Sequence, residues 1–369
     1  QTLPFPTPLE KLKSDLSHWR SLPLCLLGRS ALFKMMSLPR LLYALQNTPY
    51  LVPDSYFGAI NSEIQKLIWD GASPRIARYK LSLGWYEGGI GLPDIQKYYW
   101  AAQLSMINQW AFLSQEEPAI RLGRYNIKPR GYLGAIYGKQ PSQKGTTPTQ
   151  VVITIWHKAL RALKWEGKLT EATPLWDTAS LGTLKTKIKS RDWETIGISK
   201  LGDVWRGGEI IPWPELKAEY QLEPNQVFRY MQVRHALKTR LPVNTLLSES
   251  SPLESRLFTE HMSKKAISLI YQKIINNTPE SLSTLRHKWS QDIGEIPNED
   301  WVEAIASPRE VGIRAGFRLA QWKILHRTYY APTVLLKMGR AEADLCRRNC
   351  GEKGSFYHVL WTCPRVTQY

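Results

Sequence analysis

Three of the four cysteines in this 369-residue chain lie together near its end, in DLCRRNCGEKGSFYHVLWTCPRV, residues 344–366. Cys346, Cys350, His358 and Cys363 place three thiols and one imidazole within 18 residues. Zinc suits such a set, because it takes sulfur and nitrogen donors in a tetrahedral shell without a ligand-field preference. A shell closed by four protein ligands is structural, whereas a catalytic zinc keeps one position open for water. Gly351 and Gly354 let the backbone between the second and third ligands reverse, and Pro364 ends whatever element carries the fourth.

The alternative is a group of buried thiols or a disulfide. Three cysteines cannot pair evenly among themselves, and the remaining one, Cys25, sits in the apolar run LPLCLLG, where a thiol reads as a small core hydrophobe. The spacing favours metal over the alternative without matching the tightest zinc templates.

Other chemistry is less clearly written. Asp292, Glu295, Glu299, Asp300 and Glu303 gather in one stretch, but two-metal catalysis needs carboxylates converging from a fixed acidic motif, and none is present. No Asp-Asp pair, His-Glu-x-x-His helix or Gly-x-Ser-x-Gly elbow occurs, so no complete catalytic set is expected. The turn GGIG, residues 88–91, precedes a helix and could cradle a phosphate. It lacks the Lys and Ser/Thr of a nucleotide-binding loop, and a tight turn that lets Ile90 and Leu92 reach the core is the favoured reading.

The elements that must position these residues are mostly helical. Leu9, Leu12, Leu16 and Trp19 recur at helical spacing, as do Phe57, Ile60, Ile64, Leu67 and Ile68 in a helix opened by Pro53-Asp54 and ended by Gly71. Residues 1–125 therefore read as a helical bundle, residues 126–250 as a looser basic middle region, and residues 251–369 as a small helical domain that ends in a zinc-knuckle-like motif. In the middle region, SLGTLKTKIKSRDW alternates charged and apolar residues as a short strand would. Lys185, Lys187, Lys189 and Arg191 would share one face, either to meet phosphates or to keep a sheet edge soluble. The stretch 224–240 reads as an amphipathic basic helix with Val227, Met231, Ala236 and Leu237 inward. Residues 308–332 read as one long helix carrying Ile313, Phe317, Ala320 and Ile324 on its apolar stripe, with Arg314 and Arg318 beside it and Arg327 further round.

The fold class expected is thus mainly α. Composition adds a polyanionic partner, since 49 Lys and Arg against 32 Asp and Glu leave a net charge of +17, and the last 69 residues carry 11 basic against 5 acidic residues. No apolar run approaches the roughly 20 residues of a membrane span. With no signal-peptide pattern and few cysteines, the chain reads as intracellular. Fifteen tryptophans are many, and most are expected to fill cores. The first residue is Gln1, which reads as part of a longer protein.

Several blocks together resemble one family: DLSHWRSLPLCLLGRSALFKMMSLPRLLYALQNTPYLVP, LIWDGASPRIARYKL, EGGIGLPDIQKYYWAAQLSMINQW, and HRTYYAPTVLLKMG followed by the cysteine segment. They are similar to the region downstream of the reverse-transcriptase palm in LINE-type (non-LTR) retrotransposon proteins of vertebrates. The likeness runs nearly end to end and is weakest over about 126–220. It implies that the early helices form a thumb that grips template and primer. It also implies that Cys346, Cys350, His358 and Cys363 are the four positions of a Cys-Cys-His-Cys motif implicated in nucleic-acid binding. The partners implied are RNA or DNA together with the palm and fingers of the parent, in nucleus and cytoplasm, with no membrane. The parent's catalytic aspartates and endonuclease are not in this chain, so it is not expected to polymerise DNA alone. On this reading Lys185, Lys187, Lys189, Arg314, Arg318, Arg327, Arg347 and Arg348 meet phosphates while Trp361, Phe356 and Tyr357 stack on unpaired bases. A zinc-stabilised protein-interaction module and a decayed, non-functional copy are the alternatives.

Overall fold

The computed structural model of the chain describes residues 6–48, 50–112, 136–137, 147–166, 168–176, 191–241, 244–276, 282–312 and 314–367. Lys185, Lys187 and Lys189 lie outside the described residues, and the end of the stretch expected as a strand is instead the start of the helix Arg191–Ile196, so Arg191 opens a helix rather than sharing a strand face. The described chain is mainly helical, with one two-stranded antiparallel sheet. Its contacts form two compact units, each assembled from separated stretches of sequence, where the sequence alone suggests three consecutive regions. Among the described residues no helix is long and apolar enough to cross a membrane.

One unit comprises residues 42–57 and 95–279. At its centre is the helix Ile95–Phe112, which buries Ile95, Tyr99, Ala101, Leu104, Ile107 and Trp110 on several faces, as a helix enclosed by others must. The helices Pro148–Ala162, Pro252–Phe258 and Ala266–Asn276 pack on it. Two of these begin with reciprocal caps, Thr147 with Gln150 and Ser251 with Glu254, each followed by a proline that fits the first helical turn. Asn108, 1% exposed, is fully used: its amide donates to the Leu257 and Glu260 carbonyls at 2.8 Å each and its oxygen accepts the Met262 amide at 3.0 Å.

A second core in this unit gathers Trp176, Trp193 and Trp205 with Ile198, Leu216 and Val233. Its hairpin pairs Trp205–Arg206 with Glu209–Ile210 through Gly207 and Gly208, both at positive φ (62° and 89°), the conformation that a tight two-residue turn requires. The helix Val227–Arg240 buries Tyr230, Val233 and Leu237, with Ala236 packed against the same core; Leu237 and Ala236 face inward as expected, but Met231 does not, being 47% exposed. Tyr230 decides the rotation, because its hydroxyl reaches the buried Ile211 carbonyl at 3.0 Å.

The other unit comprises residues 1–41, 58–94 and 280–369. Leu12 and Leu16 are buried, as are Ile60, Ile64, Leu67 and Ile68, in agreement with their spacing. Cys25, however, is exposed rather than in the core; it precedes the helix Leu26–Leu32, whose buried side chains are Arg29 and Ser30. Arg29 reaches the Leu67 carbonyl at 3.2 Å and Asp70 at 3.1 Å. The single helix expected over 308–332 is two, Asn298–Glu310 and Ala315–Leu325. Pro308 falls in the last turn of the first, and Gly312, at φ 143°, breaks the chain between them. Ile313 lies outside the described residues, and Phe317 is 58% exposed. Leu319, Trp322 and Leu325 form the buried stripe instead.

What rotates that helix is the GGIG turn. The Gly88 carbonyl accepts from the Trp322 indole at 3.0 Å and from His326 Nε2 at 2.6 Å, while Ile90 and Leu92 are buried beneath. Burial lowers the His326 pKa from 6.5 to about 4, opposed by the Gly88 bond and aided by the charge of Lys80. The unfolded chain therefore takes a proton near pH 6.5 that the folded chain refuses until about 4. Stability from this group is complete above pH 6.5 and is lost as pH falls toward 4, by roughly 3 kcal/mol. Thermal melts across that window should show a smaller acid loss for His326→Gln, whose amide still donates to Gly88. An identical pH dependence in the two proteins would refute the assignment.

Candidate metal centre

Cys346 and Cys350 are held by a short reversal of the chain. The Cys346 amide donates to the Glu352 carbonyl at 2.9 Å and the Gly354 amide to the Asp344 carbonyl at 2.7 Å. Between them Asn349 and Gly351 take positive φ, 54° and 84°, so the turn closes on itself. Gly354 lies against a neighbouring element: a Cβ there would stand 2.6 Å from Pro332 Cγ. Its carbonyl accepts the Thr333 amide at 3.3 Å, which docks the reversal on the helix Pro332–Lys337.

His358 and Cys363 come from the next element, a wide helical turn over His358–Thr362 in which the Cys363 amide donates to the His358 carbonyl at 3.0 Å. This five-residue closure brings two ligands to one side. Ser355 Oγ accepts the His358 amide at 3.1 Å and starts the turn.

The four ligand atoms all lie within 4.8 Å of one another. Cys346 Sγ and Cys363 Sγ are 3.9 Å apart and Cys350 Sγ is 3.2 Å from His358 Nε2. All three thiols are free, and 3.9 Å is far beyond a disulfide. Bonds of about 2.3 Å to a tetrahedral ion would set sulfurs about 3.8 Å apart, so the set fits a metal ion of that size. Cys346, His358 and Cys363 are buried and Cys350 is half-buried.

The thiols share protons unequally. Burial opposes ionisation at Cys363, yet the Arg365 amide, hydrogen bonds with Cys350 and Cys346 and the charge of Arg348 hold its thiol below the ordinary range. The Glu352 amide favours the Cys350 thiolate, but burial and the hydrogen bonds with Cys346 and Cys363 raise it. The Cys363 thiolate is favoured and the Cys350 thiolate is disfavoured, a repulsion that a divalent cation at the centre relieves.

The surroundings separate the basic and aromatic residues singled out by sequence. Arg347 is exposed, and Arg348 is exposed with Nη1 donating to the Val359 carbonyl at 2.7 Å. Trp361 is 41% exposed, stacked on Tyr357 with centroids 5.6 Å apart. Phe356 does not face solvent as expected for a base-stacking ring: it is 7% exposed, edge-on to Trp289 in the core below. Arg327 lies over the Trp289 and Phe356 rings and pairs with Asp292, so its guanidinium is engaged within the fold. Arg314 is exposed at the start of the helix Ala315–Leu325, away from any described ion pair, and Arg318 donates to the Gly312 carbonyl at 2.6 Å. The acidic group does not converge: Asp292 serves Arg327, while Glu299 and Asp300 occupy the first turn of Asn298–Glu310, where they oppose the helix dipole. The floor of Trp289 and Arg327 under the cysteine segment carries no local sequence signal, because one comes from the helix Ser283–Ile293 and the other from the turn after Leu325, more than thirty residues on.

Fold and site together define a mainly helical protein with a three-cysteine, one-histidine cluster able to hold a metal ion. No protein-family model matches the chain.

Proposed function

We propose that this chain is the nucleic-acid-binding portion of a LINE-type reverse-transcriptase protein, lying downstream of the palm. In this reading the helices of residues 1–125 act as the thumb, and the basic surface holds template RNA or an RNA–DNA hybrid while polymerisation proceeds in the palm and fingers of the parent. Cys346, Cys350, His358 and Cys363 hold zinc, which cross-links the terminal segment and leaves no open position for catalysis.

One observation carries the reading beyond the resemblance. Of fifteen tryptophans, all within the described residues, Trp361 alone is exposed, and it stands on the element that carries His358. An exposed indole on the element whose Val359 carbonyl Arg348 reaches, in a segment that also exposes Arg347, is what an unpaired base and its phosphates would use. Fluorescence anisotropy with single-stranded RNA and with an RNA–DNA hybrid should give an affinity that falls steeply as salt rises, through counterion release. Trp361→Ala should weaken single-stranded RNA binding by about tenfold, the scale of one lost stacking contact. A flat salt response, or unchanged binding by a folded Trp361→Ala variant, would overturn the proposal.

A further inference from the structure

We propose that a basic cavity beside the cysteine segment binds a phosphate-bearing ligand of mononucleotide size, with Lys80 and Lys288 on the phosphate and Phe356 and Leu285 against its apolar part. The cavity has a volume of about 480 Å³, within the range of about 300–1,000 Å³ usual for small-molecule sites. Its walls come from the segment Arg75–Lys80, the helix Ser283–Ile293, the turn after Leu325, the helix Pro332–Lys337 and the residues just before His358.

Charge selects the ligand. Arg75, Lys80, Lys288 and Arg327 line the cavity, and no carboxylate does. Arg327 is compensated by Asp292, but Arg75, Lys80 and Lys288 enter no ion pair among the described residues. Elsewhere Arg40, Arg161, Arg229 and Arg256 are each matched with an acid. Lys80 is held below its ordinary range by burial and then by Lys288, so two ammonium groups face the same space without an anion between them. A phosphate dianion supplies that charge and accepts several hydrogen bonds at once.

Shape and hydroxyls add to this. Ser355 Oγ accepts the His358 amide, which leaves its own proton free to donate. His326 is neutral and spends its Nε2 proton on Gly88, so it adds no cation at the back wall. Ile76, Leu285, Val334 and Phe356 add apolar lining to the charged residues. A bare ion would leave that lining unused, whereas a nucleotide presents an anion at one end and a planar apolar body at the other.

The inference rests on the charge of the cavity and extends the nucleic-acid reading to a discrete site. Calorimetric titration of the full chain at low ionic strength with adenosine 5′-monophosphate should show binding at least tenfold tighter than with adenosine. The Lys80→Gln/Lys288→Gln variant should lose at least tenfold in affinity for the monophosphate, the effect of removing two charge-assisted contacts, with its circular dichroism unchanged. Arg75→Gln, at an exposed position, gives a second variant with the same expected direction. Equal binding of monophosphate and nucleoside, equal binding by wild type and double variant, or no monophosphate binding by the folded wild type would each overturn it. Displacement of the monophosphate by 5′-phosphorylated but not 5′-hydroxyl RNA assigns the site to a strand end; monophosphate binding that neither RNA displaces assigns it to a free nucleotide. Salt-dependent RNA binding by a chain that ignores the monophosphate would defeat this inference alone and leave the proposed function standing.

Discussion

Cys363→Ala should abolish stoichiometric metal binding and collapse the order of residues 344–367, the largest change any single substitution in this chain is expected to produce. Cys363 is 0% exposed and its Sγ is 3.9 Å from that of Cys346, so its loss removes a ligand from the centre rather than from the rim. Structural zinc contributes about 10–16 kcal/mol of binding free energy in small peptide domains, and that energy is the folding energy of the segment it closes. The three donors left behind form an incomplete shell that does not retain the ion, and the segment has little else to fold around. Its buried members are Cys346, Gly354, Phe356, His358 and Cys363, and three of those are ligands. The disturbance should spread to Trp289, which meets both Phe356 and Trp361 edge-on, and shift tryptophan emission to the red. Elemental analysis under reducing conditions should find one zinc per wild-type chain and none in the variant, with a stability loss on the order of 5 kcal/mol. Cys25→Ala, at an exposed thiol remote in sequence from the cluster, should keep both metal and stability. A zinc-free wild type after supplementation, or one equivalent retained by Cys363→Ala, would refute the metal assignment.

The centre was legible in the sequence because its four ligands are local. Spacing within 18 residues, glycines to reverse the chain and a proline to end it are all features of one short stretch. The helix with Ile60, Ile64, Leu67 and Ile68 was legible for a similar reason, since its apolar residues fall on a single face. The helix Ala315–Leu325 was not. It has apolar residues on most sides, and Phe317 and Ile324 make as good a stripe on paper as Leu319, Trp322 and Leu325. The choice between them is made by the Gly88 carbonyl, more than 230 residues away in sequence, which takes the Trp322 and His326 protons. The cavity bounded by Lys80 and Lys288 is hidden in the same way, because no window of sequence contains both residues. The hairpin at Trp205–Ile210 is a different kind of miss. Its Gly-Gly turn is a local signal of the two-residue type, present in the sequence and passed over for the lysine-rich stretch before it.

Gly89→Ala should destabilise the unit that contains it by at least about 4 kcal/mol, although the change adds one methyl group and Gly89 needs no unusual backbone angle. A Cβ at this position would stand 2.0 Å from the Leu83 carbonyl oxygen and 2.6 Å from that of Lys80. Both are backbone atoms, so no side chain can turn aside. The turn is closed by four bonds: Gly89 to Gly84 at 2.8 Å, Ile90 to Leu81 at 3.3 Å, Gly91 to Leu83 at 2.7 Å and Leu92 to Leu81 at 2.8 Å. Moving the Leu83 carbonyl out of the way breaks at least the third. Shifting the turn as a whole withdraws the Gly88 carbonyl and strands two buried donors, Trp322 Nε1 and His326 Nε2, each of which costs about 1–3 kcal/mol when unpaired. Ile90 and Leu92, at 2% and 1% exposure, would be drawn with it. Gly58→Ala is the matched control: that glycine is inside the helix Asp54–Trp69, a Cβ there meets nothing within 4 Å, and alanine should raise stability by up to about 1 kcal/mol. Chemical denaturation of the two variants should therefore move the midpoint in opposite directions. If Gly89→Ala melts like the wild type, the turn does not hold the close backbone packing described here, and the register it imposes on Trp322 must come from elsewhere.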